Sequence, residues 1–158
     1  MKVPAKKDRT SNRGGEVDFD KYDWAVEPTE GWGEAVVLMA EEKQSKAGND
    51  MLELTLGLEP QGADVVGGRL MTWAVPTNTI GFDEFLTALC PEQADNPDEF
   101  NLPSRVSKSG KTMVPMLVGR RCGVLVEHDP GYQRRDGRKS FKAAKLVPLS
   151  EVESDDVF

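Results

Sequence analysis

Apolar and polar residues alternate in the stretch 50–59, DMLELTLGLE, where four leucines occupy every second position. Because successive side chains of a β-strand point to opposite faces, this period of two predicts a strand with one buried face. The stretch 32–43, WGEAVVLMAEEK, is rich in apolar and β-branched residues and predicts another strand. The six residues QSKAGN between them have the length and the Gly and Asn content of a hairpin turn.

Three further stretches predict strands, and one predicts a helix. The strands are expected in 69–75 (RLMTWAV), in 113–129 (MVPMLVGRRCGVLVEHD) with a break at Gly119, and in 140–149 (SFKAAKLVPL). Apolar residues recur at helical spacing in 77–91, and the polar stretch 92–112 is expected to be a surface loop. The pattern therefore predicts a mainly β protein, with one helix between strands three and four. This is the element order of a five-stranded OB-like barrel.

The two ends of the chain lack this periodicity. Residues 1–30 are polar except for an aromatic cluster between positions 19 and 24, which predicts a flexible basic arm followed by a short segment pinned to the domain. Residues 31–148 are expected to form the OB-fold domain. Residues 149–158 are acidic and predict a disordered tail. A chain of 158 residues fits one such domain with an ordinary core.

Charge is segregated along the chain although the net charge is -7. Residues 1–14 carry five Lys or Arg against one carboxylate, and residues 132–145 carry six against one, whereas residues 83–99 carry six carboxylates and no cation. An acidic total is therefore compatible with basic surfaces that attract a polyanion. Cys90 and Cys122 have no paired spacing, and are expected to be buried thiols of a protein from a reducing compartment.

Motifs for catalysis are missing from the sequence. It has no phosphate-binding G-x-x-x-x-G-K-[ST] loop, no nucleophile elbow and a single histidine, so no enzyme activity, metal or cofactor is expected. His128 and Asp129 are interpreted as polar residues at a strand end, and Asp18, Asp20 and Asp23 as a solvated acidic segment. No apolar run is long enough to span a membrane, and a cytoplasmic location is expected.

The loop and strand GYQRRDGRKSFK combine aromatic rings with cations. Unpaired bases stack on aromatic faces while Lys and Arg neutralise the phosphates, so this combination favours single-stranded nucleic acid binding. Other cations and a tryptophan on the predicted strands are expected to converge with it, although a position in the core is the alternative for Trp73 and for Trp32. The candidate DNA-binding residues are Lys43, Lys46, Arg69, Trp73, Arg120, Arg121, Tyr132, Arg134, Arg135, Arg138, Lys139, Phe141, Lys142 and Lys145.

The acidic tail ends in an aromatic residue. One interpretation is that it mimics a polyanion and lies in the basic groove of its own chain; another is that it presents its tip to a basic, apolar pocket of a partner. A tail that only improves solubility is the third alternative. The residues concerned are Glu151, Glu153, Asp155, Asp156, Val157 and Phe158.

The stretches EEKQSKAGNDMLELTLGLE, GGRLMTWAV and LVGRRCGVLVEHD, followed by a basic last strand, resemble a family of small replication proteins from tailed phages. The resemblance covers residues 30–148 and implies an OB-fold single-stranded DNA-binding protein, located in the host cytoplasm. The tail resembles the acidic, Phe-tipped ends of bacterial and phage single-stranded DNA-binding proteins, with Val157 where Pro is usual. This implies recruitment of replication or recombination proteins.

The sequence therefore predicts a sequence-tolerant single-stranded DNA-binding protein that protects DNA during phage replication or recombination. One alternative is an adaptor whose basic loop docks an acidic protein without binding DNA. Another is a nuclease or nuclease accessory protein that uses His128. Exposed strand edges permit a homodimer.

Overall fold

The computed structural model describes six stretches of the chain: 17–44, 46–60, 65–76, 79–93, 103–134 and 137–155. The strands in them are β1 (Tyr22–Asp23), β2 (Gly31–Gln44), β3 (Asp50–Leu58), β4 (Gly67–Ala74), β5 (Arg105–Val106), β6 (Thr112–Met113), β7 (Arg121–Gln133) and β8 (Lys139–Val147). The α-helices are α1 (Thr79–Leu89) and α2 (Leu149–Asp155). The prediction of a mainly β protein is confirmed.

Five long strands form an antiparallel sheet in the order β4-β3-β2-β7-β8. The long strand β2 pairs with β3 along one edge, while its other edge pairs with β7 over residues 31–36 and with β6 over residues 41–42. Strands β4 and β8 stand at the two ends of this order, and no ladder joins them in the described residues. The sheet is open, so the predicted closed barrel is not confirmed.

The main core lies between the inner face of the sheet and α1, which occurs between β4 and β7. The leucines that alternate along β3 are buried on this face, as the period of two predicted. Phe82 and Phe85 of α1 belong to the same core cluster as these leucines. The centroids of the two phenylalanine rings lie 5.5 Å apart. Cys90 and Cys122 are free and buried, as expected, and burial raises the pKa of each thiol to about 12.

A smaller apolar cluster covers the outer face of the sheet. The Tyr22 ring packs with Val36 and Leu38, and a Cβ added to Gly57 would lie 2.8 Å from that ring. Gly57 therefore leaves the space in which Tyr22 sits. The Tyr22 hydroxyl donates to the Glu59 carboxylate. The pKa of Tyr22 is raised, mainly by burial and also by this hydrogen bond. These contacts hold the segment before β2 against the sheet.

The strand predicted over 113–129 is shorter than expected. The predicted break is present at Gly119, where φ is +90°, but a 3-10 turn at Pro115–Leu117 replaces the extended backbone before it, and β7 begins only at Arg121. The stretch 92–112, predicted as a loop, contains the short β5–β6 hairpin, which pairs with the second half of β2. Pairing with a long neighbour stabilises strands that are too short to have a recognisable period.

The tail differs from its prediction. Residues 149–155 form α2 rather than a disordered segment, and Val152 is 6% exposed. Its side chain lies over β7, where a Cβ added to Gly123 would come within 2.0 Å of it. A single apolar residue among carboxylates is a weak sequence signal, but it anchors the helix because the strand beneath it has no side chain at that position. Residues 156–158 lie outside the described residues.

Candidate nucleic-acid interface

A cleft of about 590 Å³ lies between the edges of β4 and β8 that the open sheet leaves apart. It is lined by aromatic and cationic side chains from strands that are distant in sequence. The aromatic residues are Trp24, Trp73 and Phe141, and the cationic residues are Arg69, Arg134, Lys139 and Lys142. Two carboxylates, Glu53 and Asp129, also line it.

Trp73 is 52% exposed on the outer face of β4, so it lies outside the core, and its ring lines the cleft. It pairs across the strands with Glu53, and its indole N–H donates to the Glu53 carboxylate at 3.1 Å. Glu53 also forms an ion pair with Lys43, whose Nζ lies 3.0 Å from the carboxylate. The hydrogen bond within this ion pair raises the pKa of Lys43. The hydrogen bond orients the ring, while Lys43 balances the negative charge beside it.

Phe141 lines the same cleft from β8. It is half-buried, packs against the main core, and its ring centroid lies 5.7 Å from that of His128. The core and His128 therefore fix the orientation of the ring. The contact also gives His128 a packing role at this edge.

Three lysines follow the edge strand β8 at positions 139, 142 and 145, and all are exposed. None of them forms an ion pair with a described residue. Lysines on an edge strand also discourage pairing with another sheet, which is a second reason for their presence. Lys46 is exposed in the turn between β2 and β3.

Arg69 holds the segment that precedes β2. Its Nε donates to the carbonyl oxygen of Tyr22 at 3.0 Å, and its Nη2 donates to that of Phe19 at 2.9 Å. These bonds place a guanidinium charge on the wall of the cleft while using two of its donors within the protein. Arg69 therefore contributes both to the shape of the cleft and to its positive potential.

Two arginines of the β7–β8 loop bind the continuation of that segment. Arg134 donates to the carbonyl oxygen of Trp24 at 3.3 Å, and Arg138 donates to that of Ala25 at 2.8 Å. Trp24 is thereby kept at the cleft, where its side chain is 39% exposed. Trp24 was predicted to belong to the pinned aromatic cluster but not to the DNA-binding residues, because it lies in a polar segment about one hundred and ten positions before its partner.

Arg120 lies in the protein interior and outside the cleft. It is 6% exposed, donates to the carbonyl oxygen of Leu89 at 2.8 Å and forms an ion pair with Glu92 at 2.7 Å. A cation that binds a carbonyl at the last residue of α1 satisfies one of the groups that a helix end leaves without an intrahelical partner. We therefore omit Arg120 from the proposed interface.

Arg121 is placed on the outer face, away from the lining of the cleft. Its guanidinium lies 2.6 Å from the Glu34 carboxylate and 3.2 Å from that of Glu59. Burial alone would lower the pKa of Arg121, but the hydrogen bonds and charges of the two carboxylates raise it overall. The adjacent arginines thus bind different partners, Arg120 just before β7 in the interior and Arg121 at the first residue of β7 on the outer face.

Several predicted residues fall outside the described part of the chain. Arg135 and residues 156–158 are not described, nor are the side chains of Tyr132, Glu153 and Asp155. Glu151 is exposed on α2. In the described residues no group of three or more His, Cys, Asp or Glu is arranged to hold a metal, and no helix has the length and apolar character to cross a bilayer.

No protein-family model matches the chain, and no curated protein is significantly similar to it. The resemblance to phage single-stranded DNA-binding proteins therefore stays a prediction. The functional conclusion has to rest on the chemistry of the cleft.

Proposed function

We propose that the protein binds single-stranded DNA without strict sequence preference in the cleft between β4 and β8, and protects exposed strands in phage replication or recombination. The observation that carries this proposal is the combination of three aromatic and four cationic side chains along one open cleft. Aromatic faces stack with unpaired bases of any sequence, and cations neutralise the phosphates. Neither set alone would favour a single strand over other polyanions.

The strand order supports an OB-like interpretation of the domain. An OB barrel has five strands, binds oligonucleotides on the face of its second and third strands, and uses the loops between strands one and two and between strands four and five. The corresponding parts here are β3, β4, the β2–β3 turn with Lys46 and the β7–β8 loop with Arg134 and Arg138. The cleft draws its lining from β3, β4, β8 and that second loop.

The net charge of -7 does not oppose the proposal, because affinity for DNA depends on the local charge. Four cations line the cleft against two carboxylates, and the ion pair with Lys43 offsets the charge of Glu53. Binding through phosphate neutralisation weakens as salt increases, with a slope of about -0.7 per phosphate contact for single strands. An adaptor that binds an acidic protein would have no need for exposed rings beside the cations.

The first test compares two exposed tryptophans. We expect Trp73→Ala to lower the affinity for oligo-dT by about 5- to 150-fold, because loss of one stacked base costs roughly 1–3 kcal/mol. Trp32→Ala is the matched control, since Trp32 is 44% exposed but lines a different pocket. Anisotropy of a labelled oligonucleotide at low salt measures both. An equal loss in the two variants would contradict the assignment of the site, and no binding by the unmodified chain would favour the adaptor.

We further propose that the acidic tail recruits replication or recombination proteins and competes weakly with DNA. The anchoring of α2 limits this competition. Val152 lies over Gly123, which is five residues, or roughly 17 Å, from His128 along β7. The six residues after Val152 span at most about 20 Å when extended. The tip therefore reaches the cleft only if the last turn of α2 unwinds, whereas it can meet a partner with the helix intact.

Truncation after Asp155 separates these two roles without removing Val152. We expect the shortened chain to bind oligo-dT only about 2- to 5-fold more tightly at low salt, since it loses one carboxylate side chain, that of Asp156, and still ends in a terminal carboxylate, now on Asp155. The same anisotropy titration measures the change. A hundredfold increase would contradict the limited reach of the tail, and an unchanged affinity would leave the tail with partner recruitment alone.

A further inference from the structure

A second groove opens at the start of β2, on the side of β3. Strand β2 pairs with β7 from Gly31 onward, but its pairing with β3 begins only at Ala35, which lies opposite Leu58. The backbone N–H of Glu59 still donates to the carbonyl oxygen of Glu34 at 2.9 Å, so the edge toward β3 has no strand partner in the described part of the chain only along residues 31–33. A cavity of about 240 Å³ follows this free edge. Such an edge is a template for an added extended segment.

The groove has an apolar floor. Leu58, Val124 and Val126 line it, and they are at most 9% exposed. Gly31 and Gly33 present no side chain, and a Cβ built on either would meet nothing within 4 Å. The floor is therefore open from above and has room for an apolar side chain of the added segment.

The walls expose apolar surface to solvent. Trp32 is 44% exposed, Val65 is 53% exposed and Val66 is 43% exposed, and all three line the same cavity. Single exposed apolar residues are ordinary, but three around one apolar cavity at an unpaired edge indicate a surface that becomes covered.

The rim of the groove is anionic. Glu27 and Glu30 are exposed on it, and Glu34 and Glu59 lie on its wall, where they share Arg121. No Lys or Arg is among the residues that line the cavity. The occupant that fits is therefore an extended segment with apolar side chains and several cations.

The start of this same chain has that chemistry. Residues 1–16 contain five Lys or Arg against Asp8 and Glu16, together with Val3 and its apolar neighbours. The described chain begins close to the groove, because Val17 packs against the cluster that contains Val36. Val36 is two residues, or roughly 7 Å, along β2 from the groove residue Glu34. A segment of sixteen residues can extend about 50 Å, so reach is not limiting.

We propose that residues 1–16 bind in this groove of their own chain as an extended segment along residues 31–33 of β2, with an apolar side chain on the floor and lysines at the carboxylates of the rim. This site shares only Pro28 with the lining of the DNA cleft and does not depend on DNA binding. Its occupation covers Trp32 and pairs the free edge, which removes a template for pairing between molecules at this end of the sheet.

The test uses the full chain labelled with 5-fluorotryptophan, whose three resonances are assigned by single Trp→Phe variants. We expect removal of residues 1–16 to shift the ¹⁹F resonance of Trp32 and to leave those of Trp24 and Trp73 in place, which also shows that the fold is retained. A synthetic peptide of residues 1–16 added to the shortened chain should restore the Trp32 resonance. A peptide with Lys2, Lys6 and Lys7 replaced by glutamate should not.

The double variant Glu27→Gln, Glu30→Gln of the full chain tests the rim. We expect its Trp32 resonance to move toward that of the shortened chain, and to move further at about 1 M salt, where the Debye length is only about 3 Å. An identical Trp32 resonance in the full and shortened chains would overturn the proposal. A resonance that changes with protein concentration would also overturn it, since the groove would then hold the segment of a second copy. Equal restoration by the two peptides would overturn the role of the rim carboxylates.

Discussion

Combining Trp73→Ala with Lys139→Gln and Lys142→Gln will lower the affinity for oligo-dT by about two to four orders of magnitude at low salt. One stacking face and two phosphate contacts are lost together, and both lysines are exposed without an ion pair to a described residue. The slope of log K against log salt should become less steep by about 1.4, because each phosphate contact contributes about 0.7. Anisotropy titrations at several salt concentrations measure both quantities.

A variant with the same change in charge and aromatic content provides the control. Lys108 and Lys111 are exposed in the β5–β6 hairpin, and Trp32 lines the groove at the start of β2. The control combines Lys108→Gln and Lys111→Gln with Trp32→Ala. Its affinity for oligo-dT should stay within about threefold of that of the unmodified chain, a difference that the weak effect of net charge accounts for. Equal losses in the two triple variants would mean that DNA is bound by diffuse charge and not in the cleft between β4 and β8.

Gly67→Ala will destabilise the protein by about 3 kcal/mol. A Cβ at position 67 would lie 2.0 Å from the carbonyl oxygen of Leu58, and a backbone atom of β3 cannot rotate away as a side-chain end can. Gly67 is also the first residue of β4 and pairs with Tyr22 in the parallel β1–β4 ladder. The substitution therefore forces apart two strands that position both the cleft and the segment before β2.

Gly33→Ala is the matched control for stability. It lies in the long strand β2, but a Cβ there meets nothing within 4 Å, so the expected change is below about 1 kcal/mol and can be stabilising. Urea denaturation followed by tryptophan fluorescence gives the free energy of unfolding of each variant. A loss at position 67 no larger than that at position 33 would show that β3 and β4 separate at little cost.

The hairpin of β2 and β3 and the helix α1 are predictable because their signals are local. The alternating leucines of β3 and the apolar spacing from Phe82 to Leu89 each fix one buried face without knowledge of distant residues. The register of this core follows from the same periodicity. The periodicity does not predict the open edge between β4 and β8, because this edge depends on how far a twisted sheet curves before its ends meet.

The cleft itself is only partly predictable. Trp73 and Phe141 are predictable from their neighbours in sequence. Arg120 and Arg121 look alike in sequence, but each binds a different partner within the protein. One binds the end of α1 and the other binds Glu34 on the outer face. Trp24 was missed because the bond that places it comes from Arg134, on the opposite part of the chain. Residue type and period do not encode such long-range partners.

The tail shows a similar limit. Its carboxylates predict a solvated segment, and Val152, an apolar residue between two glutamates, gains its role only from a glycine on β7. The helix that results moves the origin of the tail away from the cleft. Recruitment of a partner is therefore the better supported of its two proposed roles.

The most direct measurement of the DNA site is photocrosslinking of the full chain to an oligonucleotide that carries 5-iododeoxyuridine, followed by mapping of the linked residues by mass spectrometry. We expect crosslinks at Trp73, Trp24 or Phe141, which line the cleft between β4 and β8. Crosslinks confined to Trp32, or none above the level of an irradiated control without DNA, would contradict this expectation.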